Sequence, residues 1–342
     1  MRQDKPEVHV GEYQSILKTP VLLEFFNRPE TFQLVFEQVK KARPATLFLY
    51  QDGVRPGKGD EKGHAECRKI AEEIDWNCEV YRWYQEENKG CDPSGYLAQR
   101  WAFSNVERCI VLEDDCVPNQ SFFSYCEEML ERYKDDERIN IICGMNNMGI
   151  WEKCQDSYFF GRRGSIWGWA SWSRVVLDWR EDYNWILDTD YLKDLEKTWK
   201  PCRNWNELLK RHKYCATTGK QHFEVFLCER MLRTDSLNII PKKNMICNVG
   251  MLGGTHSDIE LKMYPRFYRK WMEMKTYEID MPLKHPEKVV QNIEFDRAMD
   301  PNWFQQKMLR PERIYLQIKY GNGKQVLKKG FNKIKKLVTK FR

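Results

Sequence analysis

Three consecutive carboxylates, Glu113-Asp114-Asp115, follow the apolar run Cys109-Ile110-Val111-Leu112 and are closed off by Pro118. Carboxylates anchored at the end of a buried strand suit a hard divalent cation, because such ions select oxygen ligands. Mg²⁺ or Mn²⁺ held by one or two carboxylates keeps positions open for phosphate oxygens, and so neutralises charge building on a phosphate leaving group. Acidic triplets also occur on solvated loops; the apolar strand in front of this one favours the chemical reading. Two more polar groups end apolar runs in the same way: Asn27-Arg28 after residues 21–26, and Asp52 after residues 46–50. Each has a plainer reading as well. Arg28-Pro29 is a helix start with proline near N1, and Asp52-Gly53 is a turn signal.

These groups need a scaffold that delivers strand ends to one place. The first half of the chain alternates β-rich runs (residues 21–26, 46–50, 79–84 and 109–112) with helical patterns over 32–39, 64–74 and 96–106. Near-continuous apolar strands separated by helices predict an α/β fold with a mostly parallel central sheet, Rossmann-like and covered on both faces. In such sheets ligands bind at the carboxyl ends of the strands, where all three polar groups fall. Further on, 121–133 reads as helix, 139–143 as strand, 158–172 as an aromatic, glycine-rich stretch, 223–232 as helix and 237–241 as strand. Residues 176–220, rich in Trp, Asp and Lys, read as a helical insertion.

The chain of 342 residues is 42% hydrophobic and 31% charged, ordinary for a soluble protein. Residues 1–18 have no apolar core of a secretory signal, and no apolar run approaches the ~18 residues of a membrane span. The twelve cysteines are scattered, without C-x-x-C spacing, and read as reduced core thiols of a cytosolic protein. The net charge of +6 is local: residues 324–342 carry eight lysines or arginines and no acid, leaving −2 for everything upstream. That argues against nucleic acid as the partner, which requires a positive stripe on the folded body.

The segment IVLEDDCVPNQSFFSYCEEML resembles the donor-site segment of GT-A glycosyltransferases related to the Golgi N-acetylglucosaminyltransferase that initiates hybrid N-glycans, and still more their bacterial relatives. FNRPETF, QDG, NKG, WGWASW and LNIIPKKNMICNVGMLGGTHS fit the same pattern in order, over residues 19–260. The resemblance implies a GT-A fold and transfer from a nucleotide-diphosphate sugar, a UDP-sugar being the expected donor. It places Asn27, Arg28 and Asp52 against the nucleoside, Asp114 against the ribose or donor sugar, and Glu113 on the sugar hydroxyls. It gives the metal to Asp115 and His256, the histidine drawing the choice from Mg²⁺ toward Mn²⁺. It sets Trp169 or the Gly168 backbone against a sugar, although one tryptophan of the motif at least is expected in the core. Inverting transfer requires a general base near the acceptor hydroxyl. The family's aspartate position falls on Glu224, a departure by one methylene, with Glu229 in reserve and Asp182 third.

The expected organisation is therefore an N-terminal extension (1–18), a catalytic domain (19–260), a C-terminal extension (261–323) and a basic helix (324–342). In that last segment Leu327, Phe331, Ile334, Val338 and Phe341 form one apolar stripe among lysines, the pattern of a helix lying on an anionic membrane; packing on the catalytic domain is the alternative. A peripheral enzyme on the cytoplasmic face of the membrane follows, acting on a glycan or lipid-linked glycan acceptor in surface polysaccharide or lipopolysaccharide assembly. The competing readings are a sugar nucleotidyltransferase, which calls for a glycine- and lysine/arginine-rich phosphate loop after the first strand, and a glycan-binding protein without catalysis.

Overall fold

The computed structural model describes residues 5–199, 205–250, 265–300 and 303–320. It divides into two compact units, Met1–Asn248 with Met274–Asp300, and Val249–Glu273 with Pro301–Arg342. The predicted basic helix and His256 lie outside the described residues.

The first unit opens with β1 (Glu7–His9), β2 (Val21–Phe25), α1 (Pro29–Ala42), β3 (Thr46–Gln51), α2 (Glu61–Ala71), β4 (Cys78–Tyr84), α3 (Cys91–Asn105) and β5 (Arg108–Glu113). After β6 (Cys116–Pro118) come α4 (Gln120–Arg132), β7 (Ile139–Cys143), β8 (Tyr158–Gly161), β9 (Trp169–Trp172) and the turn-length α5 (Ser173–Val176). The insertion supplies α6 (Thr189–Trp199) and α7 (Trp205–Thr218), and α8 (Phe223–Arg233), β10 (Leu237–Pro241) and β11 (Ile246–Asn248) follow.

Nine strands form one sheet in the order β1-β4-β3-β2-β5-β9-β7-β10-β8. Strands β4, β3, β2 and β5 are mutually parallel, β9 runs against both its neighbours, and β7 and β10 are again parallel. The sheet is thus mostly parallel and flanked by helices, as the alternation of apolar runs requires. Residues 158–172 prove to be two strands, and residues 7–9 extend the sheet by pairing antiparallel with β4.

Helix α1 shows how the sequence builds a layer. Pro29 occupies its first turn, and Phe32, Val35, Phe36 and Val39 repeat at 3, 1 and 3 residues on one wholly buried face. Burying each such side chain contributes about 1.5–3 kcal/mol. The helix stops where Arg43 turns left-handed (φ 47°). The insertion has its own small core, in which Trp185, Leu195 and Trp199 pack on Met231 and Leu232 of α8.

Residues 274–300 return to the first unit. Their α10 (Ile293–Met299) supplies Asp296, whose carboxylate accepts from the backbone N–H groups of Arg162 and Arg163 just after β8. In the second unit, α9 (Arg266–Arg269) and α11 (Trp303–Tyr320) are joined by the Arg266 N–H donating to Glu312 at 3.1 Å. Among the described residues no helix is long and apolar enough to cross a membrane.

Candidate active site

The chain lays β2, β3 and β4 outward in one direction and then places β5 on the other side of β2. The order therefore reverses between β2 and β5, and a crevice opens at the carboxyl ends of strands where such a reversal occurs. Asn27-Arg28 leave β2 and Asp114-Asp115 leave β5 at that point. The Arg28 guanidinium bridges the two aspartates, Nη1 to Asp115 Oδ2 at 3.0 Å and Nη2 to Asp114 Oδ1. Asp114 is buried and also accepts from the Phe26 N–H at 3.1 Å, so it ties the two strand ends together. Burial pushes its carboxyl up to about 6, although the Arg28 charge opposes the shift. Burial works against the Arg28 charge as well, but the two aspartates hold its pKa above the ordinary value.

Asp115 is the more open of the pair, its side chain 14% exposed against 5% for Asp114. Its second oxygen accepts from Asn248 Nδ2 at 3.2 Å. Asn248 arrives because β11 pairs antiparallel with β6, setting it opposite Cys116. Nothing local in the sequence marks Asn248, since its partner lies 133 residues away; it was missed for that reason.

On the face covered by α3, register alignment sets Glu24 of β2 beside Glu113 of β5 and beside Tyr50 of β3. Burial, then Asp115 and Glu24, raise the Glu113 pKa well above the carboxylate range, and Glu224 adds to the shift. Glu224 reaches this face because Phe223, the first residue of α8, stacks on Trp169 (ring centroids 6.4 Å apart) and packs against Gly95 of α3. A Cβ at Gly95 would stand 3.2 Å from the Phe223 ring. The Glu224 carboxylate accepts from Arg211 Nη2 at 2.6 Å, and His222 Nδ1 lies 3.8 Å from it and 3.0 Å from Asp92. Glu24, unremarked in the sequence, is half-buried, with Oε1 lacking a partner.

Several expected donor contacts are placed elsewhere. Asp52 sits at the end of β3, but its carboxylate already accepts from the N–H groups of Gly53, Lys89 and Gly90 and from Asn88 Nδ2, at 2.8–3.0 Å. Four donors match the capacity of a carboxylate; Asp52 holds the loop before α3. The Asn27 side chain donates to Asp60, which also pairs with Arg55. Trp169 is 1% exposed, between Phe103 and Phe223, so it belongs to the core rather than facing a sugar. Gly168 is buried too: at φ 62° it leaves room that a Cβ would contest with Ile246 at 2.5 Å. Trp172 is likewise buried, which leaves Trp167 as the half-exposed tryptophan of the three. Glu229 is 1% exposed and accepts from Tyr191 and Arg233 where α6 packs on α8. Buried and paired there, Glu229 is not open to an acceptor hydroxyl, which counts against it as the reserve base. Asp182 accepts from the N–H of Asn184 in an exposed turn.

No family model and no curated protein matches this sequence. Among solved structures, 4-diphosphocytidyl-2C-methyl-D-erythritol synthase from Anaerococcus prevotii DSM 20548 aligns over 46% of this chain and 72% of its own, at 9% identity and a TM-score of 0.27. So slight a likeness carries no argument.

Among the described residues no group of three or more His, Cys, Asp or Glu is set to hold a metal ion. What is present is one partly exposed carboxylate, Asp115, with one oxygen on Arg28 and the other shared by the Asn248 amide and the Cys116 thiol. That is not a closed cage. It fits a hard cation that takes one or two protein oxygens and draws its other ligands from water and phosphate. The eleven cysteines among the described residues are free thiols, most of them buried; Cys116, beside Asp115, is held by burial well above the ordinary thiol pKa and stays protonated.

Proposed function

We propose that the protein is a metal-dependent glycosyltransferase of the GT-A kind, moving a sugar from a nucleotide-diphosphate donor, UDP-linked by preference, to a glycan or lipid-linked acceptor. The observation that carries this reading is the meeting of Arg28, Asp114 and Asp115 at the switch point of a parallel sheet.

In this reading Asp115 would hold Mn²⁺ or Mg²⁺ beside the donor diphosphate, with His256 as the further ligand expected from the sequence. The ion, when bound, stabilises charge on the departing phosphate. Arg28, planar and permanently charged, turns its fork from the aspartates to the diphosphate oxygens. Asp114, anchored to the Phe26 N–H, keeps the two strand ends in register and faces the ribose or sugar. Glu113 orients sugar hydroxyls. Glu224, steadied by Arg211, takes the proton of the acceptor hydroxyl as that oxygen bonds to the anomeric carbon. The bond from that carbon to the diphosphate breaks, and inversion follows from attack opposite the leaving group. The first strand is followed by Asn27-Arg28-Pro29-Glu30, not the glycine-rich phosphate loop that the nucleotidyltransferase alternative calls for. The basic stripe of 324–342 would hold the enzyme on an anionic leaflet; sedimentation with anionic and neutral vesicles tests that point separately.

The deciding experiment screens UDP- and GDP-sugars for Mn²⁺-dependent hydrolysis or transfer, comparing the wild type with Asp115→Ala. Metal-dependent turnover lost in the variant is the expected result. Failure of the wild type to respond to any donor with metal would sink the proposal.

A further inference from the structure

The opposite end of the same sheet's strands carries a second polar feature. Arg138 precedes β7, Asp235 leads into β10, Leu237 opens it, and Arg162 follows the antiparallel β8, so all four gather at the amino ends of β7 and β10. A groove of about 440 Å³ opens there, with Thr234 beside Asp235 and with Leu237 and Val290 as apolar wall.

Arg162 is the unusual member. Its side chain is 8% exposed, and its guanidinium has a single partner, Asp235, reached through Nη2. Nε and Nη1 have no acceptor. A buried guanidinium with donors unpaired is costly, because the water they lost has not been replaced. The nearby buried carboxylate does not relieve it. Asp296 accepts instead from the backbone N–H groups of Arg162 and Arg163 at 2.9–3.0 Å and from Gln291 Nε2 at 2.7 Å. Asp300 pairs with Arg163 and Asp136 with Arg138. Asp235, by contrast, is 74% exposed and held in the left-handed region at φ 52°. It is a one-point, solvent-facing partner for a buried fork.

We propose that this groove is an oxyanion site, distinct from the crevice at the carboxyl ends of β2 and β5. It takes the phosphate or carboxylate group of a small molecule whose body rests on Leu237 and Val290. The anion displaces the exposed Asp235 carboxylate and gives the Arg162 fork the multiple acceptors it lacks, the arrangement in which arginine binds oxyanions most strongly.

The test titrates the full chain with phenyl phosphate, benzoate and, as an uncharged control, benzyl alcohol, followed by calorimetry and by amide shifts at residues 234–237. At least one anion is expected to bind with a Kd of about 1 mM or tighter while the alcohol does not; which anion wins tells phosphate from carboxylate. Asp235→Asn removes the resident competitor and should tighten binding by about fivefold. Val290→Trp, at a position 63% exposed, fills the groove and should abolish binding without touching the Arg28 crevice. Arg162→Gln should abolish it too. If that variant does not fold, the other two still decide. Binding that survives Val290→Trp, a weaker rather than tighter Asp235→Asn, or no binding of either anion overturns the proposal.

Discussion

Asp52 and Asp115 end strands separated only by β2, and each follows an apolar run, yet the fold treats them in opposite ways. Asp52 is 6% exposed, with all its acceptor capacity taken by the Gly53 N–H and by the loop at residues 88–90. Asp115 is more open, its side chain 14% exposed, and its bonds to Arg28, the Asn248 amide and the Cys116 thiol leave one position unfilled. A carboxylate at a strand end is therefore not yet a site. What separates the two is how many of the four lone-pair positions the protein itself already fills.

The contrast predicts that the two substitutions fail in different assays. Asp115→Ala should lower metal-dependent donor turnover by about a thousandfold or more, the worth of the electrostatic support on a leaving phosphate. Its midpoint in urea should barely move, because Asp114 stays to pair with Arg28. Equal loss of turnover in Asp52→Ala at unchanged stability would erase the distinction. Glu224→Gln comes next, with a fall in turnover of about a hundredfold or more and little change in donor binding by calorimetry, as expected for a base acting on the acceptor. A fall in donor affinity with turnover preserved would move Glu224 from acceptor to donor.

Asp52→Ala itself should cost about 2–4 kcal/mol of stability, since three backbone N–H groups and one amide lose a buried acceptor. Urea unfolding measures the loss, and hydrogen exchange should show it centred on residues 88–90. A variant as stable as the wild type would mean that the loop is held by something other than Asp52.

Which features could be read from the sequence follows from how local their causes are. The parallel strands announce themselves through apolar runs such as residues 109–112, and the crevice follows from their order. The position of Glu224 at the start of a helix was likewise visible in His222-Phe223-Glu224. The partners were not. Arg28 finds Asp114 and Asp115 across 86 and 87 residues, and Asn248 finds Asp115 across 133. Such pairs depend on strand order and register, which no spacing rule contains. The aromatic motif misled for a related reason. A tryptophan stacks equally well on a sugar or on Phe103 and Phe223, and only the packing of α3 and α8 over β9 decides between them. Glu229 and Glu224 share a helix, but five residues turn them to different sides, one into the insertion core and one toward β5.

Glu24 supplies the smallest effect and the finest probe of the same contrast, being a third strand-end carboxylate whose partners come from the fold. Burial pushes its pKa up to about 8; Gln99 opposes the shift and Asp114 adds to it. Its folded pKa thus lies above the unfolded one, so the folded state holds the proton more tightly between the two. Its stabilising contribution is complete below the ordinary glutamate range and is lost as pH rises through about 8. The wild type should therefore lose stability relative to Glu24→Gln between acid and alkaline conditions, with about 5 kcal/mol as the ceiling that a rise from 4.5 to about 8 sets. Paired urea titrations at several pH values measure the difference. Parallel stability curves for the two proteins would mean that Glu24 ionises as freely as a surface carboxylate, and that the face beneath α3 is wetter than its unpaired Oε1 implies.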